Sequence, residues 1–380
     1  MEKLMIIFIL LQPLLDISYT LNFLNINLIV RGIFLVLITL YLIKEKKDKP
    51  LELLYIPLII FMFVYIFGFH YSIIKSVKYI TKLFYLPFTL VFFYYYKDDI
   101  DNKYFVYELV LYLAIYYISW IFGFGNEIYE DGVKKVGFKG LFNSINEFSA
   151  IVIMLLGISI NYLQKKKKYI ICIILSALTA ILSMTLGTKV ILGGLIILFL
   201  YFLYNPFKEY FIKKSIKSKI FIMLLLVAIV FLSSFLITNT STYKNAEIQK
   251  KYFKVNNVFS LNYVNKVIFN NRFSFVSKNH KLYYKSNILN KMFGINRNIT
   301  RKDVEIDLFD LFYTYGIIGF ILMLIYIIYI GYKSKLKGIY LFMFILLLLI
   351  SETSGHVLMS PSVSLYFGII IYLNKKELKN

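Results

Sequence analysis

The chain has 380 residues, 59% of them hydrophobic and 19% aromatic, and carries a formal net charge of +22. A water-soluble domain of this length does not hold so much apolar surface, so composition excludes a soluble enzyme and points to a polytopic membrane protein. The positive charge lies in short runs between apolar segments and no nucleic-acid motif accompanies it, which excludes a nucleic-acid binder and indicates orientation by an anionic leaflet.

A helix needs about 17–25 largely apolar residues to cross the roughly 30 Å hydrocarbon core, and only helices and closed barrels satisfy their own backbone there. Such segments are read at 4–19, 22–43, 51–70, 83–96, 104–123, 140–163, 169–187, 190–204, 220–237, 310–332, 338–351 and 362–373. Several are short, so the expected fold is all-α, with about 12 (10–12) transmembrane helices. The first, within MEKLMIIFILLQPLLDISY, has the basic start and apolar run of a signal peptide. Gln12, Pro13 and Asp16 interrupt it and no small-residue cleavage site follows, so it is read as a retained span. Cys172, the single cysteine, lies in an apolar run and reads as a small core hydrophobe.

Charge sets the orientation. The runs KEKKDK (44–49), KDDIDNK (97–103), KKKK (165–168), KEYFIKKSIKSK (208–219), KSKLK (333–337) and KKELK (375–379) all fall on one side if twelve spans alternate. That side is the cytoplasm, with both termini inside. Lys75, Lys78, Lys82, Lys134, Lys135 and Lys139 then lie outside, at lower density. The one long polar stretch is also outside. Between Lys244 and Asp310 it carries thirteen Lys or Arg against five acids, and no apolar run there is long enough to span. The chain is therefore read as a single membrane domain, 1–380, with an extracytoplasmic loop subdomain at 238–309 between the ninth and tenth helices.

Ionisable groups at membrane depth are costly and mark pathways or sites, with structural pairing as the alternative. Asp16 and Arg31 fall near the outer ends of the first two spans, where they can pair. Asn143, Asn146 and Glu147 are spaced i, i+3, i+4 and are read on one helical face, lining an outward cavity or bonding a neighbouring helix. Lys189 starts a span after the tight turn GTK (187–189), as a site cation or an interfacial lysine. Of the histidines, His70, His280 and His356, only His356 sits in a compact turn between two spans, SETSGHVLMSPSVS. Asp303, Glu305, Asp307 and Asp310 fall where the tenth helix begins, so a solvated, dipole-stabilised first turn competes with a catalytic reading. A calcium loop is not indicated, because its glycine and 12-residue pattern are missing. Asp16, Asn143, Asn146, Glu147, Lys189, Arg272, Arg301, Glu305, Asp307 and His356 all map near the outer face, where one shared cavity accounts for them.

The order of QPLLDIS (12–18), GLFNSINEFSA (140–150), LGTKVILGG (186–194), Arg272 in the loop, KMFGIN (291–296), EIDLFDLFYTYGIIG (305–319) and GHVLMSPSVSLYF (355–367) resembles the bacterial O-antigen polymerase and O-antigen ligase superfamily, especially its capsule and teichuronic-acid polymerase-like members. The resemblance implies a membrane-embedded glycosyltransferase acting outside on polyprenyl-pyrophosphate-linked oligosaccharides. It also implies loop arginines in the site, contact with membrane lipid, and flippase and chain-length regulator proteins as partners. Ligases of the superfamily tend to carry a His-Asn pair where this chain has Glu305, Ile306 and Asp307, so a polymerase is the expectation and a ligase the alternative. A flippase or other transporter is the third reading, and the chain lacks the two related halves and midplane charges it calls for.

Polymerisation asks for a cationic clamp on the leaving pyrophosphate, from Arg272, Arg301 or Lys189, and a base for the acceptor hydroxyl, from Glu305, Asp307 or His356. The expected catalytic residues are accordingly Arg272, Glu305, Asp307 and His356. Those expected to bind substrate are Arg31, Asn143, Asn146, Glu147, Lys189, Arg297, Arg301 and Asp310. No metal or cofactor is implied, because protein cations can neutralise the phosphates and no ligand cluster with convincing spacing is present.

Overall fold

An apolar segment shielded from water closes its backbone hydrogen bonds within itself, and most of this chain does so as α-helix. The computed structural model describes residues 1–18, 20–21, 26–45, 57–65, 73–130, 133–213, 238, 240–255, 257, 259–295 and 304–379. The expected span at 220–237, His70, Arg297, Arg301 and Asp303 lie outside the described residues. The elements are α1 (Glu2–Ile17), α2 (Ile26–Glu45), α3 (57–65), α4 (Ile73–Tyr95), α5 (Lys103–Ile121), β1 (Asn126–Glu130), β2 (Val133–Gly140), α6 (Ile145–Lys165), α7 (Tyr169–Leu186), α8 (Lys189–Lys213), α9 (Ser241–Tyr252), α10 (Arg272–Lys285), α11 (Ile288–Phe293), α12 (Asp307–Lys333), α13 (Gly338–Ser354) and α14 (Pro361–Lys379).

Among the described residues five helices are long and apolar enough to cross a membrane: Ile26–Lys44, Lys103–Ile121, Ile145–Lys165, Tyr169–Leu186 and Asp307–Lys333. Lys189–Tyr204 and Gly338–Ser354 are apolar but shorter. The protein is thus a helical, multi-pass membrane protein. The all-α expectation meets one addition, an antiparallel hairpin in which Glu127 of β1 faces Phe138 of β2. The stretch expected to be a polar loop contains α9, α10 and α11.

The chain divides into two units. One holds residues 6–21 and 101–268 and is built on α6, whose buried residues run from Phe148 to Leu163 and which packs against α5, α7 and α8. Stacked rings close its end, Phe142 on Phe148 at 4.0 Å and Tyr116 on Phe148 at 5.9 Å between centroids. Asn245 of α9 then locks the hairpin down. Its amide nitrogen donates to the Val136 carbonyl at 2.8 Å and to the Gly187 carbonyl at 3.3 Å, while its oxygen accepts from the Val136 amide at 2.7 Å. Asn245→Ala leaves these groups unmatched and is expected to destabilise the protein by about 1–3 kcal/mol. A lowered melting temperature in detergent checks this; an unchanged one rejects it.

The other unit, residues 1–5, 22–100 and 269–380, centres on α4, packed against α2, α12 and α14. Its α12 is broken at Gly316, where φ is 67° and ψ −172°. A Cβ there would come within 2.4 Å of the Met292 carbonyl, so glycine lets the end of α11 dock against the break. The Ile295 amide completes the docking by donating to the Tyr313 carbonyl at 2.9 Å. Beneath it Tyr283, Ile295, Val304, Ile306 and Tyr313 form a small core that fixes α10 on the first half of α12. Asn374 of α14 bonds the Ser334 carbonyl at 2.9 Å and the Lys337 amide at 3.0 Å. The Tyr372 hydroxyl accepts from the Ile100 amide at 2.7 Å. Lys97 and the basic runs at 333–337 and 375–379 therefore share one end of this unit, and the start of α12, the end of α13 and the start of α14 share the other.

Candidate functional site

Helix ends leave backbone groups unpaired, amides at the start and carbonyls at the finish. Four such ends meet around Arg272, the first residue of α10 and only 5% exposed. Asn270 and Asn271, both in the left-handed region, turn the chain into this helix, a conformation asparagine tolerates better than most residues. The Arg272 guanidinium donates through Nη2 to the Ser354 carbonyl at 2.9 Å and through Nη1 to the Thr353 carbonyl. Both acceptors belong to the last turn of α13, where the helix dipole favours a cation. Nη2 also donates to Glu305 Oε2 at 2.9 Å, an ion pair whose arginine side chain is almost fully buried. Nε is buried with no hydrogen-bond partner among the described residues.

The two aspartates of the first turn of α12 do structural work in this geometry. Asp310 accepts from the amides of Val304 and Glu305, each at 2.8 Å, and so clasps the chain entering the helix. Asp307, fully buried, accepts from the amides of His356, Val357 and Leu358 at 2.5, 2.7 and 2.6 Å. Its carboxylate thus anchors the turn that leads into α14. Gly355 and Glu305 touch backbone to backbone. A Cβ on Gly355, where φ is 68°, would lie 2.5 Å from the Glu305 carbonyl. Glu305 and His356 themselves adopt a positive φ of 61° each, so the segments flanking this contact are strained on both sides.

These contacts bring together five of the residues singled out from sequence, Arg272, Glu305, Asp307, Asp310 and His356. The His356 backbone is held by Asp307, while its half-buried imidazole makes no hydrogen bond among the described residues. Sequence reasoning missed Glu352, which lies one residue beyond the expected span 338–351. Its Oε1 accepts from the Ser351 hydroxyl at 3.1 Å. An acid closing the apolar run LLLLISETS was the available signal. The carbonyls of Thr353 and Ser354 carry no signal in sequence at all.

The remaining expected residues lie elsewhere. Lys189, Asn143, Asn146 and Glu147 belong to the unit built on α6. The Lys189 ammonium donates to the carbonyl of Val267 and, at 2.9 Å, to that of Ile268. Asn143 is exposed and precedes α6, so only Asn146 and Glu147, both half-buried, stand on the helix. The single helical face expected for all three is corrected accordingly: the chain enters α6 through Ser144, in extended conformation. Asp16 accepts from the Tyr112 hydroxyl at 2.6 Å, and Arg31, buried on α2, belongs to the other unit. Among the described residues no three His, Cys, Asp or Glu side chains gather as metal ligands.

Comparison with known proteins adds to this geometry. No curated protein matches the chain. A family model described as O-antigen ligase like membrane protein matches residues 1–256 and 238–375. Together the two matches run across almost all of a multi-pass helical chain, so the chain belongs to the O-antigen ligase-like family within the O-antigen polymerase and ligase superfamily, and is a membrane enzyme of polysaccharide biosynthesis.

Proposed function

We propose that this protein polymerises polyprenyl-pyrophosphate-linked oligosaccharide repeat units into a surface polysaccharide at the outer face of the bacterial cytoplasmic membrane. The observation that carries the reading is the Arg272–Glu305 ion pair with its buried guanidinium, which joins segments 33 residues apart and is braced by the Ser354 carbonyl, 82 residues from Arg272, at the junction of helix ends beside His356. A hydroxyl of the acceptor unit attacks the anomeric carbon of the glycan on the lipid carrier. The new glycosidic bond forms as the bond from that carbon to the pyrophosphate oxygen breaks, and polyprenyl pyrophosphate leaves. Arg272 takes up charge on the leaving group, through the planar donors that suit phosphate. Asp307 and Asp310 have both carboxylate oxygens engaged by backbone amides and Glu305 is paired with Arg272. His356 is therefore the base that receives the hydroxyl proton, with Asp307 and Asp310 holding its surroundings in place.

The gathering of basic runs at the opposite end of the same unit supports an external site. α13, with 17 residues, is ~26 Å long, near the thickness of the hydrocarbon core. The full reading is of about 12 spans, both termini in the cytoplasm, and an external subdomain at 238–309. Single cysteines at Asn257 and Lys281 in a Cys172→Ser background are then expected to react with an impermeant thiol reagent in intact cells, and one at Lys167 not to. Labelling at Lys167 without permeabilisation rejects the orientation.

The function is tested by deletion. Lipid-linked single repeat units are expected to collect on the outer leaflet while long polymer disappears. Units held on the inner leaflet indicate a flippase instead, and lipid-linked polymer that is made but not passed to an acceptor indicates a ligase.

A further inference from the structure

At the end of the second unit remote from Arg272, the chain forms a cleft of about 180 Å³ lined by Tyr96, Lys97, Asp98, Asp99, Tyr372, Lys375, Lys376 and Lys379. A water occupies roughly 30 Å³ of liquid, so this volume takes a phosphate-sized group with a few waters. Four lysines face two aspartates. Lys376 neutralises Asp99 at 2.6 Å and also donates to the Ile100 carbonyl at 2.7 Å. Lys375 donates to the Tyr94 carbonyl and lies 4.9 Å from the centre of the Tyr94 ring. Burial, and after it the charges of Lys379 and Lys97, push the Lys375 ammonium below the ordinary lysine range. Like charges crowded in a recess are a cost that a bound anion removes.

A second observation points the same way. Tyr96 is 2% exposed, lines the cleft, and has a buried hydroxyl with no hydrogen-bond partner among the described residues. Leaving such a donor unmatched is costly, which makes an unpaired one in a native interior call for an explanation. The cleft wall is held rigidly, since the Tyr372 hydroxyl accepts from the Ile100 amide at 2.7 Å and donates to the Asp98 carbonyl at 3.1 Å. A preorganised recess with surplus cations and one unused hydroxyl donor matches the acceptor oxygens of a phosphate.

We propose that this cleft binds a phosphate group, with Lys375 and Lys379 supplying charge and the Tyr96 hydroxyl a hydrogen bond. Two sources present that chemistry, the headgroup of an anionic phospholipid and a soluble phosphate, and one experiment separates them. The full-length protein, purified in a neutral detergent, is titrated with phosphatidylglycerol, with phosphatidylcholine and with inorganic phosphate, and its apparent melting temperature is followed. Phosphatidylglycerol is expected to raise it by about 3 °C or more and phosphatidylcholine to raise it less. Lys375→Gln combined with Lys379→Gln should remove the difference, Tyr96→Phe should at least halve it, and Lys165→Gln, on α6, should leave it intact. Lys379→Gln alone, at an exposed position near the chain end, guards against a fold defect and should weaken the response by itself. A rise with inorganic phosphate that depends on the same residues supports the site with a soluble ligand as its source. Responses to both probes that are absent, or equal in the wild type and all cleft variants, overturn the proposal.

Discussion

Arg272→Lys is expected to lower polymer formation at least about tenfold, equivalent to roughly 1.4 kcal/mol of lost transition-state stabilisation. The guanidinium already reaches three acceptors, the carbonyls of Thr353 and Ser354 and the Glu305 carboxylate, and still holds a buried Nε donor without a partner among the described residues. A planar group with five donors can do this and also meet a phosphate oxygen. A lysine ammonium has three donors around one nitrogen and cannot. Keeping the charge while removing the fork separates the two contributions. Lys250→Ala and Lys285→Ala are the controls. Lys250 is a half-exposed residue with Glu247 at 3.7 Å, a pair of the kind worth about 0–1 kcal/mol, and Lys285 is exposed at the end of α10. The measurement is the amount and length distribution of polymer, normalised to folded protein in the membrane. Wild-type polymer from Arg272→Lys at normal abundance excludes a bidentate role for Arg272 and leaves the basic segment as diffuse attraction for an anionic glycan.

The second large effect concerns Asp307, and it is expected in stability before it is seen in turnover. Three amides of consecutive residues, His356 to Leu358, converge on its two oxygens, those of Val357 and Leu358 in buried bonds. Asp307→Ala strands all three, two of them fully buried, at an expected cost of about 3–5 kcal/mol. Such a loss is a large fraction of the stability of a typical protein, so little folded variant should be recovered from membranes. Asp307→Asn keeps one acceptor oxygen and turns the other into a donor facing amides, so it should fall between wild type and alanine. Yield after detergent extraction and apparent melting temperature are the readouts. A variant Asp307→Ala recovered in normal amount, with unchanged melting but no polymer, shows instead that Asp307 takes part in the chemistry. His356→Gln provides the contrast: normal yield with strongly reduced polymer is the expected outcome for the base.

Some of this was legible without coordinates. Hydropathy alone established a helical membrane protein, because a backbone in hydrocarbon has so few ways to satisfy itself that about 20 apolar residues in a row admit little else. The same apolar background made the ionisable residues conspicuous. Glu305, Asp307, Asp310 and His356 stood out beside apolar runs, Arg272 was marked only by the family resemblance as an arginine of the polar stretch, and the five do come together. The stretches KMFGIN and EIDLFDLFYTYGIIG were marked by the resemblance, and Gly316 of the second proves to be the break against which α11 docks. The hairpin at 126–140 was not read from the sequence, although two short runs flank the Asp131-Gly132 dipeptide, a turn signal, because its strands are too short to stand out beside the apolar spans.

Which acid does what was decided only in three dimensions. Asp307 and Glu305 are two residues apart at the start of one helix and look interchangeable in the sequence. The fold brings three amides from residues 356–358 to the first and a guanidinium from residue 272 to the second. The role of a carboxylate follows from what saturates its oxygens, and here those partners come from segments tens of residues away, by backbone groups that every residue possesses. Lys189 and Asn245 make the same point. The composition of the chain marks a lysine and an asparagine, while only the packing determines that the first holds the carbonyls at 267–268 and the second locks a hairpin to a helix turn. Sequence fixes which groups are available, and tertiary structure, by closing or leaving open their hydrogen bonds, decides which remain for chemistry.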